Sequence, residues 1–472
     1  MDYKIQITKL YGLQPMSINS FESYFMSWLP DRKSITRPCY LSLANLLEGD
    51  IRSGKLAPGT RLPPQRELAD YLGLNFTTVT RAYDLCRERH LIYGVTGRGS
   101  FVSSLPGHVP EKRQGLIELG LVNGFDFIRK PVIEATRNIL GKGYLEELYT
   151  YSDPAGHLHQ REAGVRWMAQ MNIRTDSSRT AIFSGAQNVI SAAMLSLFRV
   201  GDRIAVDEFT YANLIGTAHL THTLLLPVRG DAAGMIPSEL DKLCRKEKIS
   251  GIFLMPNYAN PTALTMPETR RDELAEVIRK YHLTLIEDDP GCWMLKNLPT
   301  PFYARLEDQT VYICGSTMSL CSGLRVTFAT FPESYREKLL QGAHHLNIKT
   351  SSLDAEIMTE LITSGKATQI LREKRVLAGK ANHIYNTIFP DQESDRTGLF
   401  RCLPLPLTKL SADGIRTEQF FAEQGVSVQH AHRFSVRKHP GKAFLRLSIC
   451  SAGTGEALTD GLCRVKNALP RL

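Results

Sequence analysis

Several short motifs put chemically capable side chains where a strand-like run gives way to a turn. Ser184-Gly185-Ala186-Gln187-Asn188 lies between the apolar run 180–183 and a helix-like stretch. Backbone N–H groups at such a helix start favour a phosphate. Asn257-Tyr258-Ala259-Asn260-Pro261-Thr262 follows the run 251–255, at the strand end where open α/β sheets place ligands. Glu287-Asp288-Asp289 ends the next run. A carboxylate there can hold a protonated ring nitrogen, the partnership that makes pyridoxal phosphate an electron sink. Ser322-Gly323-Leu324-Arg325 puts a guanidinium after a tight turn, fit for phosphate, and Arg446 in a late strand could clamp a carboxylate. Each has an ordinary use as well: a strand-end aspartate caps helices, an arginine makes surface ion pairs, and Gly-Ala follows strands in any α/β fold. Their order along one chain is what points to a pocket.

A second group of polar residues lies near the N-terminus. Thr77, Thr78, Thr80 and Arg81 project from the first turns of an expected helix, 77–89, which Asn75 would cap. Arginine can pair bidentately with guanine, and threonine offers a hydroxyl and a methyl. Arg66 stands at the start of a shorter helix that follows Pro63-Pro64 and ends at Gly73. Gly97-Arg98-Gly99 forms the tip of an expected hairpin, with Arg98 placed for phosphate or the minor groove. These are also the residues of an ordinary solvated helix face.

The elements that position both groups follow from hydrophobic spacing. Leu41, Leu43, Leu46, Leu47 and Ile51 recur at helical spacing up to Ser53-Gly54, and Pro58-Gly59 marks a turn. Leu68, Ala69 and Leu72, then Val79, Ala82, Tyr83 and Leu85, give the next two helices their inward faces. Three helices and a glycine-tipped hairpin make a winged helix-turn-helix, mainly α. Beyond the Pro-, Gly- and Ser-rich stretch 103–115, which reads as a linker, strand-like runs at 180–183, 203–206, 251–255, 283–286 and 311–314 alternate with helical stretches such as 186–198 and 269–281. That alternation predicts an α/β unit with a mostly parallel sheet, followed from about residue 350 by a small α+β lobe. The expected division is therefore an extension 1–38, a winged helix 39–102, a linker 103–115 and a body 116–472. Phe21, Tyr24, Phe25, Trp28 and Leu29 form an aromatic-rich stretch expected to pack on one of the units.

Composition excludes little beyond the extremes. The 472 residues are 43% hydrophobic and 22% charged, ordinary for globular chains. No apolar run reaches the roughly 20 residues of a membrane helix, and no signal-type stretch opens the sequence. A cytoplasmic protein with no membrane partner is the expectation. With 57 Lys+Arg against 48 Asp+Glu, the net charge of +9 permits a polyanionic partner without requiring one. Nine scattered cysteines, none in a Cys-x-x-Cys pair, read as reduced thiols, and no metal site is expected.

The stretch Pro58-Gly59-Thr60-Arg61-Leu62-Pro63-Pro64-Gln65-Arg66-Glu67-Leu68-Ala69, with Leu74-Asn75-Phe76-Thr77-Thr78-Val79-Thr80-Arg81-Ala82-Tyr83, resembles the signature of the GntR family of bacterial regulators. The resemblance implies that Arg66, Thr77, Thr78, Arg81 and Arg98 contact a double-stranded DNA operator. Phe76 departs from the small or basic residue common at its position. The pocket motifs, with Tyr151-Ser152-Asp153-Pro154-Ala155-Gly156 and Asp207-Glu208-Phe209-Thr210-Tyr211, resemble fold type I aminotransferases in their order. Such a head on such a body is similar to the MocR subfamily. That resemblance implies a homodimer and a pyridoxal-phosphate pocket. Tyr211 would stack on the ring, and Ala186 and Gln187 would hold the phosphate by backbone or side chain. Asn260 would meet the ring hydroxyl, Asp288 the ring nitrogen and Arg325 the phosphate. Tyr151 would reach the partner subunit's phosphate, and Arg446 an amino-acid-like carboxylate.

One residue type is missing. The family's lysine should stand seven positions before Arg325, where this chain has Met318. A thioether neither condenses with an aldehyde nor carries a proton. Gly315 stands where a hydroxyl residue is expected three positions earlier, a part that Ser316 or Thr317 could take, and Pro290 stands where the subfamily has a tyrosine. The expectation is a DNA-binding transcriptional regulator, not an enzyme, with no catalytic residue. Its body would sense a small-molecule effector, with pyridoxal 5'-phosphate or a vitamer bound non-covalently if at all. The rivals are an active pyridoxal-phosphate aminotransferase with an accessory head and a DNA-binding dimer indifferent to ligands.

Overall fold

The computed structural model describes residues 27–53, 55–56, 60–89, 91–95, 99–103, 116–315, 319–392, 397–437 and 441–472. The chain forms two compact units, Met1–Gln114 and Gly115–Leu472. In the first, α1 (Cys39–Arg52), α2 (Gln65–Leu72) and α3 (Phe76–Glu88) precede an antiparallel hairpin of β1 (Ile92–Val95) and β2 (Gly99–Val102). Helix α2 stops because Gly73 turns left-handed, with φ +60°. A Cβ there would also stand 2.9 Å from the Arg32 guanidinium. Helix α3 starts where the Asn75 side chain accepts the Thr77 N–H at 3.1 Å. Leu68, Ala69, Leu72, Val79, Ala82 and Tyr83 are buried as expected.

Leu85 is only half-buried, and Cys86 takes the core position instead. One residue of helix turns the face by 100°, and Cys86 is the one aimed at α1, its Sγ 3.7 Å from the Ala44 carbonyl. Trp28 packs into this unit's core and donates its Nε1–H to Asp50 at 2.8 Å, while Leu29 is half exposed. Phe21, Tyr24, Phe25, Gly54, the Pro58-Gly59 turn and the hairpin tip 96–98 lie outside the described residues.

The second unit opens with β3 (Ile117–Glu118), α4 (Lys130–Leu140) and α5 (Leu158–Ala169). Strand and helix then alternate: β4 (Thr180–Phe183), α6 (Ala186–Ser196), β5 (Arg203–Asp207), α7 (Ala212–Thr221) and β6 (Leu224–Val228). After a short hairpin, β7 (Gly230–Asp231) and β8 (Gly234–Met235), come α8 (Pro237–Lys246), β9 (Ile249–Leu254), α9 (Glu268–Lys280), β10 (Thr284–Asp288), β11 (Thr310–Cys314) and β12 (Thr327–Thr330). The main sheet has the order β4-β12-β11-β10-β9-β5-β6, parallel except for β12, which runs against both neighbours. Apolar periodicity missed two strands. Strand β6 is a half-buried edge carrying Pro227, and β12 is four residues long with fully buried threonines at both ends.

The reversed β12 matters for the site. Parallel strands β9, β10 and β11 release their C-terminal loops at one edge of the sheet. Because β12 is antiparallel, its start lies at that same edge, with Thr327 opposite Phe183 at the end of β4. The chain continues through α10 (Glu333–Asn347), α11 (Ser352–Thr363) and the long α12 (Lys366–Ile388). Next come β13 (Phe400–Leu405), α13 (Gly414–Glu423), β14 (Val426–Ser427), β15 (Gln429–His430), β16 (Ala443–Ser448) and α14 (Gly455–Ala468). Strands β13, β16 and β15 form a small antiparallel sheet. Strand β3 pairs with β14, so the small lobe also takes in the body's first described residues.

Candidate functional site

At the sheet edge Gly185 lies between β4 and α6 with φ +88°. A Cβ on it would sit 2.7 Å from Arg325 Nη2, so the absence of a side chain is what lets the guanidinium lie over this turn. Ala186 and Gln187 follow as the first two residues of α6, where backbone N–H groups have no intrahelical acceptor. The Gln187 side chain is otherwise engaged, donating to Thr217 Oγ1 at 2.7 Å, which leaves its backbone N–H as the group able to hold an anion. Ser184, Asn347, Asn188 and Thr350 join in one hydrogen-bonded cluster beside the turn.

Three consecutive carboxylates end β10, and the fold treats them differently. Glu287 accepts the backbone N–H groups of Phe302 and Tyr303 at 3.0 and 2.8 Å. Asp289 accepts from Asn257 Nδ2 at 2.9 Å and from the Tyr312 hydroxyl at 3.3 Å. Buried Arg271 holds Asn257 in turn through its side-chain oxygen and the neighbouring Pro256 carbonyl. Asp288, between them, is 4% exposed, and its Oδ1 is buried without a hydrogen-bond partner. Burial, and then the neighbouring Asp289, push its carboxyl up to about 7. It caps no helix.

Arg446 on β16 is 4% exposed. It donates to Asn260 Oδ1 at 2.9 Å, to the Gly120 carbonyl and to Gln429 Oε1, all uncharged acceptors, and its Nε has no partner. Burial lowers its guanidinium to about 10. It is therefore a buried cation without an ion pair among the described residues. Tyr211 opens α7 half-buried, its hydroxyl accepting from Asn213 Nδ2 at 3.1 Å. Burial raises that hydroxyl's pKa and Asp288 adds to the rise, while Asn213, Arg325 and Arg446 oppose it. The structure thus brings Tyr211, Asp288, Arg325, Arg446 and Asn260 together. Asn260 meets them with its oxygen already turned to Arg446. Tyr151 stays apart, 84% exposed.

Met318 lies outside the described residues, as do Ser316 and Thr317. Its surroundings are informative. A Cβ on Gly315 would fall 2.8 Å from Pro290 Cα and 3.0 Å from its nitrogen, and one on Gly291 would fall 2.5 Å from Tyr258 Cβ. The backbone of residue 290 thus lies against the end of β11, and a side chain at 315 would require one of the two segments to shift.

In the first unit Thr80 Oγ1 donates to Gln65 Oε1 at 2.9 Å, locking α3 to α2 in helix-turn-helix fashion. Thr77 is exposed at the start of α3 and Thr78 half-buried. Arg66 lies exposed over the Phe76 ring, 5.6 Å from its centroid, and Arg81 lies over Tyr40 of α1 at 4.3 Å. Arg98 falls outside the described residues.

Residues 39–102 match the family model of bacterial regulatory proteins, gntR family, and residues 123–465 match aminotransferase class I and II. The HTH-type transcriptional regulator YdeF of Bacillus subtilis is 34% identical over 465 residues, covering 97% of this chain and all of that protein. The chain belongs to the GntR family, in its MocR-like architecture. This MocR-like protein is also 24% identical over 359 residues to a 2-aminoadipate transaminase of Thermus thermophilus, covering 73% of the chain and 87% of the enzyme. The crystal structure of the α-aminoadipate aminotransferase LysN from Thermus thermophilus, complexed with N-(5'-phosphopyridoxyl)-L-leucine, superposes with a TM-score of 0.67. That match is 20% identical and covers 76% of this chain and 93% of LysN. The second unit therefore has the fold type I aminotransferase fold and the first is a winged helix.

The MocR-like site uses residues that motif reading passed over. Gly120 and Gln429 hold Arg446 from distant segments, and Arg271, Asn257 and Tyr312 hold Asp289. The lysine whose Nζ donates to the Thr150 carbonyl at 3.0 Å and to Ser152 Oγ at 2.8 Å, bracketing Tyr151, is Lys349. Of these only Asn257 sits in a quoted motif. The others become visible through contacts between segments far apart in sequence.

Proposed function

We propose that this protein is a DNA-binding transcriptional regulator whose aminotransferase-like body senses a small molecule without turning it over. Asp288 carries the reading. A carboxylate oxygen buried without a hydrogen-bond partner is costly, and Asp288 keeps one in the cluster around Tyr211 that also holds Arg325 and Arg446. A ligand with a protonated ring nitrogen would satisfy it. The residues present fit pyridoxal phosphate or a vitamer: Arg325 over the Gly185 turn with the Ala186 and Gln187 N–H groups for the phosphate, Asp288 for the ring nitrogen, and Tyr211 for the ring face. When bound, such a group supplies an electron sink. Drawing on it requires an amine to hold the aldehyde and move a proton, and Met318 supplies neither. Arg446, desolvated and ion-pair-free, would accept the carboxylate of an amino-acid-like effector. A homodimer, in which Tyr151 of each subunit meets the other's pocket, gives that exposed ring a use.

Regulation follows if ligand binding favours one arrangement of the winged helices over another. The test is equilibrium dialysis of the full-length protein with pyridoxal phosphate, pyridoxamine phosphate and pyridoxal, paired with operator binding with and without each. Reversible binding that changes operator affinity and leaves no borohydride-fixed adduct is expected. A fixed adduct on the native chain, or transamination of a keto acid, would return the protein to the enzymes. Operator affinity indifferent to every vitamer and amino acid tried would leave a ligand-independent DNA binder.

A further inference from the structure

The first unit presents an apolar ring that its own core does not use. Phe76 is the first residue of α3, is 42% exposed, and stands outside the cluster formed by Trp28, Leu68, Val79, Tyr83 and their neighbours. A single exposed aromatic is common on protein surfaces. This one begins the second helix of a helix-turn-helix, the end from which such helices touch base edges. It is flanked by exposed Thr77 and carries the Arg66 guanidinium over its face at 5.6 Å. Stacking holds the Arg66 guanidinium on one face of the ring, so that a cation and the ring's apolar edge are offered together. In the major groove thymine is the base that offers a matching surface, because its C5-methyl is apolar. A phosphate backbone gives a phenyl ring nothing, whereas Arg66 beside it is served by phosphate or guanine.

We infer that Phe76 is a specificity-determining residue that reads the thymine methyl group within each operator half-site, with Arg66 held on its face. The inference rests on the DNA-binding reading of this unit. A thymine methyl packed on the ring buries about one methyl's worth of apolar surface. Its loss should weaken binding about three- to fivefold per half-site.

The experiment first selects an operator from a random duplex pool with the full-length protein. Each thymine is then replaced singly by deoxyuracil, which removes only the methyl. Wild type should lose about three- to fivefold at one thymine per half-site, Phe76→Leu should keep part of that loss, and Phe76→Ala should bind both duplexes equally. The wild-type scan needs no variant, so a folding defect in Phe76→Ala does not blunt it. Uracil tolerated at every position, or a methyl effect of equal size in Phe76→Ala, overturns the assignment while leaving DNA binding intact. Failure of the wild type to enrich any sequence would instead remove the DNA-reading unit on which the inference stands.

Discussion

Replacing Asp288 with asparagine should make the ligand-free protein more stable at alkaline pH while costing it its ligand. Burial and Asp289 raise the Asp288 carboxyl from 3.8 to about 7. The native state therefore keeps a proton that the unfolded chain has released, and unfolding releases it. The stability associated with this group is full below pH 3.8 and is lost as pH rises to about 7. Between those limits the loss amounts to about 4 kcal/mol at most, at roughly 1.36 kcal/mol per pKa unit. Asparagine does not titrate, but its buried amide brings back a desolvation penalty of about 1–3 kcal/mol. The balance at pH 8 is a stabilisation of about 1–3 kcal/mol over wild type, shrinking toward zero or reversing near pH 5. Thermal unfolding of both proteins without ligand, from pH 5 to 8, reads that difference directly. Comparing the two at each pH cancels the contribution of Glu287, which burial also raises, whereas Asp289, coupled to Asp288 by charge, titrates lower once residue 288 is neutral and adds to the difference. The same variant should bind pyridoxal phosphate at least tenfold more weakly, since a neutral amide no longer favours the protonated ring. A difference in stability that does not vary with pH, or unchanged vitamer affinity, would refute the account of Asp288 as an unpaired buried acid awaiting a cation.

Gly185→Ala places a Cβ where Arg325 lies and strains a backbone at φ +88°. Pyridoxal phosphate affinity should fall about tenfold or more for the loss of a charge-assisted bond, with pyridoxal nearly unaffected, as isothermal titration of both would show. Met318→Lys restores the missing amine. With pyridoxal phosphate it should gain a borohydride-sensitive visible band, and no colour would mean the pocket has closed further around Pro290 and Gly315. Arg446→Leu should abolish any effect of amino-acid-like effectors on operator affinity while sparing vitamer binding, checked by competition titrations. On DNA, Arg81→Ala should weaken binding and relax sequence preference, and Arg98→Ala should weaken it evenly across sequences. Equal operator affinity for wild type and both variants would displace the recognition helix and wing.

Local chemistry was legible in the sequence wherever one segment settles its own conformation. Asn75 and Gly73 bound α3 and α2, Gly99 opens the second strand of the hairpin, and the alternation from residue 180 predicts the parallel sheet. The absence of a lysine at 318 is also a fact of the sequence alone, and no fold can restore an amine there. The tertiary structure decided what depends on partners far along the chain. Strand β12 runs antiparallel because it pairs with β4 and β11, and that reversal brings Arg325 over Gly185. Arg446 is buried against Asn260, Gly120 and Gln429, which come from three separate segments. Of three adjacent carboxylates only packing determines that Glu287 finds donors for both its oxygens and Asp289 for one of them, while Asp288 finds none among the described residues. A hydrogen bond is short-ranged and a carboxylate's cost depends on what surrounds it, so neither can be read from residue order until the chain has closed on itself.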